Sequence, residues 1–376
     1  MMVILRLFSD FPQVFWITAF VSLTLYTLVM IFIGTGVWAL PPIRLKNTAP
    51  FTRFSLIIPF KDEAENLPAL LKSLKQLKYP AGMYEILLVD DHSTDMSAQI
   101  VQESGFVRYV AGQGEGKKQA LLSGIKEAQY DWIVTTDADG TVPPDWLMYF
   151  HSAIITAQPK MILGPVKFID QNTFLSKFQQ FEFLSLQAMT IAGVYWKHPF
   201  LSNGANFAFD KQAFYAVNAY GESLKIASGD DVFLLEKFQK KYAGKITFVK
   251  NPEAVVSSMP QPDFKALIQQ KIRWAGKTKY QKSLWPKLAG ILILSVNFFL
   301  LAAWIFGGFE SKALIFIGVK FIFDTWLVFT MSKMYRLKFS LFAWMLTFLI
   351  YPVYLIYTGI QSFQGGYQWK GRRHKY

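Results

Sequence analysis

The chain reads as a mainly parallel α/β domain set between apolar helices of membrane-spanning length. Three observations carry that reading. Between residues 51 and 250, short apolar runs alternate with amphipathic helical stretches, the pattern of successive βαβ units. Three of the apolar runs lead into acidic clusters, Asp62/Glu63, Asp90/Asp91 and Asp137/Asp139. Flanking this region, residues 14–33, 288–306, 313–330 and 340–360 form apolar stretches long enough to cross a bilayer as helices.

Composition agrees. The 376 residues allow one large or two modest domains, and 52% hydrophobic against 17% charged is too apolar for an ordinary soluble enzyme. There are 39 Lys+Arg and 26 Asp+Glu, a net charge of +13. Nucleic acid, anionic lipid and a phosphorylated substrate could each balance such a charge. No basic-aromatic repeat or nucleic-acid motif is present, and much of the basic charge borders apolar segments. A membrane is therefore the expected partner, and nucleic acid is not. The chain has no cysteine, which excludes a disulfide framework and thiol catalysis.

Taken in order, residues 14–33 carry no charge. Arg6 before them makes a signal peptide the competing reading, but the run is long for one and no small-x-small cleavage site comes after it. Residues 1–40 are read as an uncleaved anchor. Pro41-Pro42 ends it, and Arg44, Lys46 and Arg53 place the α/β region in the cytoplasm.

The first strand is expected over residues 54–58, closed by Pro59, and the acidic turn after it opens a helix bearing Leu67, Leu70, Leu71, Leu74 and Leu77. A second strand over 85–89 runs into Asp90-Asp91, with Ser93 or Thr94 as cap of the next helix. A third strand is expected over 107–110. Gly112 to Lys118 then opens another helix, and residues 132–136 form the fourth strand. Alternation along a continuing strand would point Asp137 and Asp139 to the same side, where two carboxylates suit a hard divalent cation. Alone, Asp-x-Asp could equally be a surface loop. Its place beside two other acidic strand ends lifts it, because ligands bind parallel sheets at the carboxyl ends of strands.

Further on, a strand is expected over 161–166 and an aromatic helix over 174–189. A Gly/Asn turn around Asn203-Gly204 leads into a strand, and Ser228-Gly229-Asp230-Asp231 opens a helix. Residues 245–249 form another strand, and 263–282 reads as a basic helix with Gln270, Arg273 and Trp274. In the third apolar segment Lys320 and Asp324 stand four apart on one helix face, where a pair offsets part of the cost of charge in a bilayer. A re-entrant segment is the alternative. Four crossings would leave the basic tail outside, whereas Lys333, Arg336 and Lys338 fit an inside loop, so two or three C-terminal spans stay open.

The fixed points between Ile57 and Trp274 resemble the inverting family 2 glycosyltransferases of GT-A fold, in particular the membrane-embedded branch with ceramide glucosyltransferase and the cellulose, chitin and hyaluronan synthases. The resemblance rests on five elements in order: the acidic turn after strand one, Asp90-Asp91, Asp137-x-Asp139, Gly229-Asp230-Asp231 and Gln270-x-x-Arg273-Trp274. It implies a catalytic domain over 51–285 ending in an interfacial helix, C-terminal membrane helices over 288–360 and a basic tail over 361–376. It further implies a nucleotide-diphosphate sugar donor and a divalent cation, Mg²⁺ or Mn²⁺, with Asp139 as direct ligand and Asp137 close by. One of the pair Asp90 and Asp91 would contact base or ribose, with the Asp62-Glu63 turn lining that pocket, and Lys117 would approach the donor phosphates. Asp231 would act as general base, supported by Asp230, which replaces the family's usual Glu. Gln270, Arg273 and Trp274 would close over the donor, with Trp274 also on the acceptor side beside Asn203 and Gly204. His198, a lone histidine beside proline, is read as structural.

Three readings of function compete. The first is transfer to a membrane lipid or lipid-linked glycan, by a multi-pass protein of a bacterial inner membrane with its catalytic domain in the cytoplasm. The second is a processive polysaccharide synthase, which normally needs more helices or a partner subunit to export its chain. The third is a non-catalytic assembly partner, against which the intact acids argue. A nucleotidyltransferase also pairs aspartates with metal, but gives no reason for the Arg273-Trp274 helix. Nothing in the residues fixes the oligomeric state.

Overall fold

The computed structural model describes residues 2–221, 230–277, 280–306, 310–363, 367–369 and 372–374. In chain order the elements are α1 (Met2–Ala39), β1 (Phe54–Phe60), α2 (Leu67–Lys75), β2 (Tyr84–Asp90), α3 (Ser97–Glu103), β3 (Arg108–Ala111), α4 (Lys117–Glu127), β4 (Trp132–Thr135), β5 (Gly140–Thr141) and α5 (Trp146–Ala157). Then come β6 (Met161–Leu163), β7 (Val166–Phe168), α6 (Phe174–Tyr195), β8 (Phe207–Asp210), α7 (Lys211–Ala216), α8 (Asp230–Lys241), β9 (Ile246–Phe248) and β10 (Val256–Ser258). The last elements are α9 (Phe264–Lys277), α10 (Trp285–Phe306), α11 (Ser311–Met334), α12 (Leu341–Phe363), β11 (Tyr367–Trp369) and β12 (Arg372–His374). They form two compact units: Gly36–Pro262 with Met334–Leu337, and Met1–Thr35 with Asp263–Lys333 and Lys338–Tyr376.

The α/β unit is built on a seven-stranded sheet in the order β3-β2-β1-β4-β8-β6-β9. β8 alone runs antiparallel to its neighbours, so the sheet is mainly parallel, as the alternating pattern predicts. A sheet wound this way is covered on both faces, and its central strands are apolar throughout. Phe54, Leu56, Ile58 and Phe60 of β1 join the core with Leu67, Leu70 and Leu74 of α2 and Trp146 and Phe150 of α5. On the opposite face α4 approaches so closely that a Cβ on Gly124 would lie 2.4 Å from Ile57 Cγ2.

The strand order reverses between β2-β1 and β1-β4. That is the switch point at which parallel sheets leave a crevice for ligands. A second, three-stranded sheet, β5-β10-β7, is assembled from very short strands that are far apart in the chain.

Four local expectations are corrected. β1 does not stop at Pro59 but continues to Phe60. β4 leaves β1 at Ile57, and Phe60 turns its carbonyl toward β2, so the missing proline N–H faces the side with no partner strand. The single strand expected over 161–166 is two, β6 and β7, broken at Gly164-Pro165. Neither Ser93 nor Thr94 caps α3, which starts at Ser97; both serve the acidic turn instead. Finally, β4 ends at Thr135, so Asp137 and Asp139 stand in a turn rather than on a continuing strand. The expected cap Ser228-Gly229 and the tail residues Lys370 and Lys375 lie outside the described residues.

In the other unit, four helices are long and apolar enough to cross a membrane: Gln13–Ala39, Trp285–Phe306, Ser311–Met334 and Leu341–Ser362. The charges read from the sequence in α11 are paired and buried. Lys320 Nζ lies 2.5 Å from Asp324 Oδ2, with side chains 2% and 13% exposed. Tyr26 of α1 donates to Asp324 Oδ1 at 2.7 Å, and the lysine ammonium sits over the rings of Tyr26 and of Phe348 in α12. Every charge in this cluster has a counterpart, which intramembrane charge requires. α9 belongs to this unit, and β11 and β12 pair antiparallel beyond α12.

Candidate active site

Because β2, β1 and β4 are parallel neighbours, their carboxyl ends fall on one edge of the sheet, and all three acidic clusters meet there. The turn after β1 and the turn after β2 are knitted together. Asp62 adopts φ 50°, a left-handed conformation that Asp tolerates better than most residues. Its Oδ1 accepts from the Thr94 amide at 2.7 Å and from the Thr94 hydroxyl at 3.2 Å. The Glu63 amide donates to Ser97 Oγ at 2.8 Å, while the Glu63 carboxylate accepts from Asn66 Nδ2 at 2.7 Å.

Asp90 and Asp91 are buried, 8% and 4% exposed, and buried carboxylates need hydrogen bonds. Asp90 accepts from the Ser93 amide at 2.9 Å and from the Tyr109 hydroxyl at 3.0 Å. Burial first, and then the bond to Asp90, push the Tyr109 phenol above its ordinary range. Asp91 accepts from the Gly116 amide at 2.7 Å. Gly116 holds φ +94°, a conformation that glycine reaches without strain, and it directly precedes α4.

The next residue, Lys117, reaches across to the end of β4, where its Nζ donates to Asp137 Oδ1 at 2.6 Å. Asp137 and Asp139 are each partly exposed, while Ala138 between them is buried, so the turn still presents both carboxylates outward. The second sheet fixes Asp139. The Met259 amide donates to the Asp139 carbonyl at 3.3 Å, and the Ser258 hydroxyl donates to its Oδ1 at 3.4 Å. Gly140 is next, where a Cβ would stand 2.9 Å from the Ser257 carbonyl, so β10 can approach only a glycine.

Asp231 sits at the head of α8. Its Oδ1 accepts from the Val232 amide at 2.8 Å and its Oδ2 from the Gly204 amide at 3.2 Å. Asn203 Oδ1 accepts from the Ala205 amide, shaping the loop that delivers Gly204. Asp230 opens the same helix, and its side chain lies outside the described residues. Asp90, Asp91, Lys117, Asp137, Asn203, Gly204 and Asp231 are thus held by hydrogen bonds within a single unit. Gln270, Arg273 and Trp274 lie in the other unit, at the i, i+3, i+4 spacing of one face of α9, with Lys271 Nζ 4.0 Å from the Trp274 ring centroid.

Asn206 is structural. It is 1% exposed, receives the Trp146 indole N–H at 2.8 Å, and donates to the carbonyls of Pro165 and Ala254. Sequence reading missed Tyr109, Ser258 and Lys118. The first two lie on strands of four and three residues, too short for periodicity to place a side chain.

The donor set at Asp137 and Asp139 fits Mg²⁺ or Mn²⁺. Such ions use one or two carboxylates and take their other ligands from water and phosphate, which two outward carboxylates permit. Among the described residues no group of three His, Cys, Asp or Glu side chains could hold a metal ion on its own.

The fold and the acidic sheet edge define a GT-A domain. Residues 55–217 match the family model described as glycosyl transferase family 2, and this stretch is a domain of that family. Among curated proteins, the chain is 26% identical over 247 residues to the protein described as probable glycosyltransferase YdaM of Bacillus subtilis, which covers 62% of this chain and 57% of that one. It is 36% identical over 106 residues to an undecaprenyl-phosphate 4-deoxy-4-formamido-L-arabinose transferase of Pseudomonas fluorescens, which covers 26% of this chain and 30% of that one. The chain thus spans less than two thirds of the length of these relatives. Among solved structures, the mannosyltransferase PcManGT of Pyrobaculum calidifontis, in complex with GDP-Man and Mn²⁺, superposes over 93% of this chain and 99% of its own with a TM-score of 0.54 at 16% identity.

Proposed function

We propose that the protein is an inverting glycosyltransferase that moves a sugar from a nucleotide-diphosphate sugar to a membrane lipid or lipid-linked glycan. The observation that carries this reading is the meeting of three acidic strand ends on one sheet edge, with Lys117 bridging to Asp137 and Asp231 held at the head of α8. The relatives named above as glycosyltransferases support the reaction class, one being named for an undecaprenyl-phosphate substrate. Four helices of membrane-spanning length support a lipid acceptor; in this reading the membrane is a bacterial inner membrane and the domain lies on its cytoplasmic side.

In this mechanism Asp90, Asp91 and Glu63 hold the nucleoside, and Lys117 offsets charge on the diphosphate. Asp139, with Asp137, would hold a divalent cation, which supplies positive charge to the departing phosphate. Mn²⁺ in the mannosyltransferase complex supports a cation of that kind. Asp231 takes the proton of the acceptor hydroxyl as its oxygen bonds to the anomeric carbon. The bond from that carbon to the diphosphate breaks on the opposite face, so the nucleoside diphosphate leaves and the anomeric configuration inverts. The two amides on Asp231 fix the carboxylate's direction and leave it lone pairs for the proton.

The test is release of UDP or GDP from a panel of nucleotide sugars by the full chain in detergent, with extracted lipids and with or without Mg²⁺ or Mn²⁺. A labelled lipid product that depends on metal, and whose formation is lost in Asp139→Asn, is the expected result. A high-mass polymer would replace the lipid acceptor with a processive synthase, and no release from any donor would support the assembly-partner reading.

A further inference from the structure

Lys117 and Lys118 look alike in the sequence, two basic residues opening a helix, where cations are disfavoured by the helix dipole and normally stay in water. The structure separates them. Lys117 is partly exposed and turns to Asp137, whereas Lys118 is buried, 5% exposed. A lysine is rarely buried to this degree without compensation, because removing an ammonium from water is expensive. Part of that compensation is visible. The Lys118 ammonium lies 5.1 Å from the ring centroid of Phe233, itself 5% exposed, which is cation–π geometry in a desolvated setting.

Phe233 stands two residues beyond Asp231, in the first turn of α8. Three consecutive residues therefore touch three different parts of the site. The Gly116 amide holds Asp91 after β2, Lys117 holds Asp137 after β4, and Lys118 holds the helix that bears Asp231. We propose that Lys118 is a positioning residue, which keeps the first turn of α8, and with it the Asp231 carboxylate, in register with the donor-side turn at 116–118. The proposal rests on the glycosyltransferase reading. It gives Lys118 no contact with donor or acceptor, and it locates the buried charge under the base rather than under the phosphates.

A positioning role predicts a split between kinetic constants. In the full chain in detergent, Lys118→Met keeps the aliphatic stem and removes the charge. It should lower kcat about tenfold or more while the donor KM stays within about twofold. Lys118→Arg should recover most of the loss, since a guanidinium also sits on aromatic faces. Phe233→Leu should reproduce the loss, and the double variant should be no slower than the slower single one, the mark of residues acting as a unit. Amide hydrogen exchange over residues 232–235 should quicken in Lys118→Met.

Three results would overturn the proposal: a raised donor KM with kcat unchanged, which makes Lys118 a donor ligand; both constants unchanged; or unaltered exchange in the first turn of α8. The exchange result stands even if no sugar donor is ever turned over, so failure of the functional reading is separable from failure of this one. If Lys118→Met does not fold, Phe233→Leu carries the same kinetic split, and Lys118→Arg should keep both constants near their original values.

Discussion

Lys117 Nζ lies 2.6 Å from Asp137 Oδ1, with a quarter of the lysine side chain and a third of the carboxylate side chain still open to solvent. So exposed a pair adds little to folding, roughly 0–1 kcal/mol. Its value lies in what it does to the local charge. A diphosphate brought to the ends of β2 and β4 meets several carboxylates, and Lys117 is a cation already aimed at one of them.

Lys117→Met should therefore leave the melting temperature almost unchanged and raise the donor KM about tenfold to a hundredfold, the worth of one charge-assisted hydrogen bond. A large loss of stability with donor KM untouched would make the pair a fold element instead.

Asp231→Asn preserves the side chain's shape, and its amide oxygen can still accept from Gly204, but it cannot take a proton. Transfer should fall by about 10²–10⁴-fold while nucleoside diphosphate binding, measured by calorimetry, holds within about twofold. An asparagine variant that still transfers sugar at the original rate would place the base elsewhere.

Asn206→Ala tests the distinction between the two asparagines of one loop. The substitution strips partners from the Trp146 indole and from the carbonyls of Pro165 and Ala254, all buried around Asn206. The expected loss is about 2–4 kcal/mol of stability, seen as a lower thermal midpoint in detergent. Whatever active protein remains should keep its donor KM.

His151 gives the α/β unit a dependence on pH. The ring is fully buried, its Nδ1 accepts from the Thr52 amide at 3.3 Å, and its Nε2 faces the Thr48 carbonyl at 3.3 Å, an arrangement that suits the neutral ring protonated on Nε2. Burial holds its pKa below the ordinary 6.5, against the opposing effect of the Thr48 carbonyl. The unfolded chain thus binds a proton more readily than the folded one. Stability from this residue is complete above pH 6.5 and declines as pH falls below that value. His151→Gln should flatten the midpoint-versus-pH curve below about pH 6.5; an unchanged slope would assign the dependence to other groups.

The first half of the domain was legible because β1, β2 and β4 are apolar runs joined by amphipathic helices, so each connection is local and its direction forced. The acidic sheet edge came from that alone. The second sheet was not legible. β5 pairs Gly140-Thr141 with Ser257-Ser258, residues distant in sequence, and a strand of two or three residues carries no period. That is also why the turn at Asp137–Asp139 was read as continuing strand: what bends it is a partner from the far end of the domain. Asn206 stands three residues beyond Asn203, and only its bonds to Trp146, Pro165 and Ala254 mark it as a fold residue. Lys118 escaped notice because a second lysine at a helix start looks solvated until Phe233 covers it.

The ion pair in α11 bears on how the chain is made. Lys320 and Asp324 stand near the middle of a 24-residue helix, where each charge adds about 2.5–3.5 kcal/mol to the free energy of entering a bilayer alone. Their mutual contact lies within α11, but the Tyr26 hydroxyl belongs to a helix translated earlier and the Phe348 ring to one translated later. Entry of α11 into a bilayer would therefore depend on its neighbours, since α1 and α12 each supply part of the setting its two charges occupy.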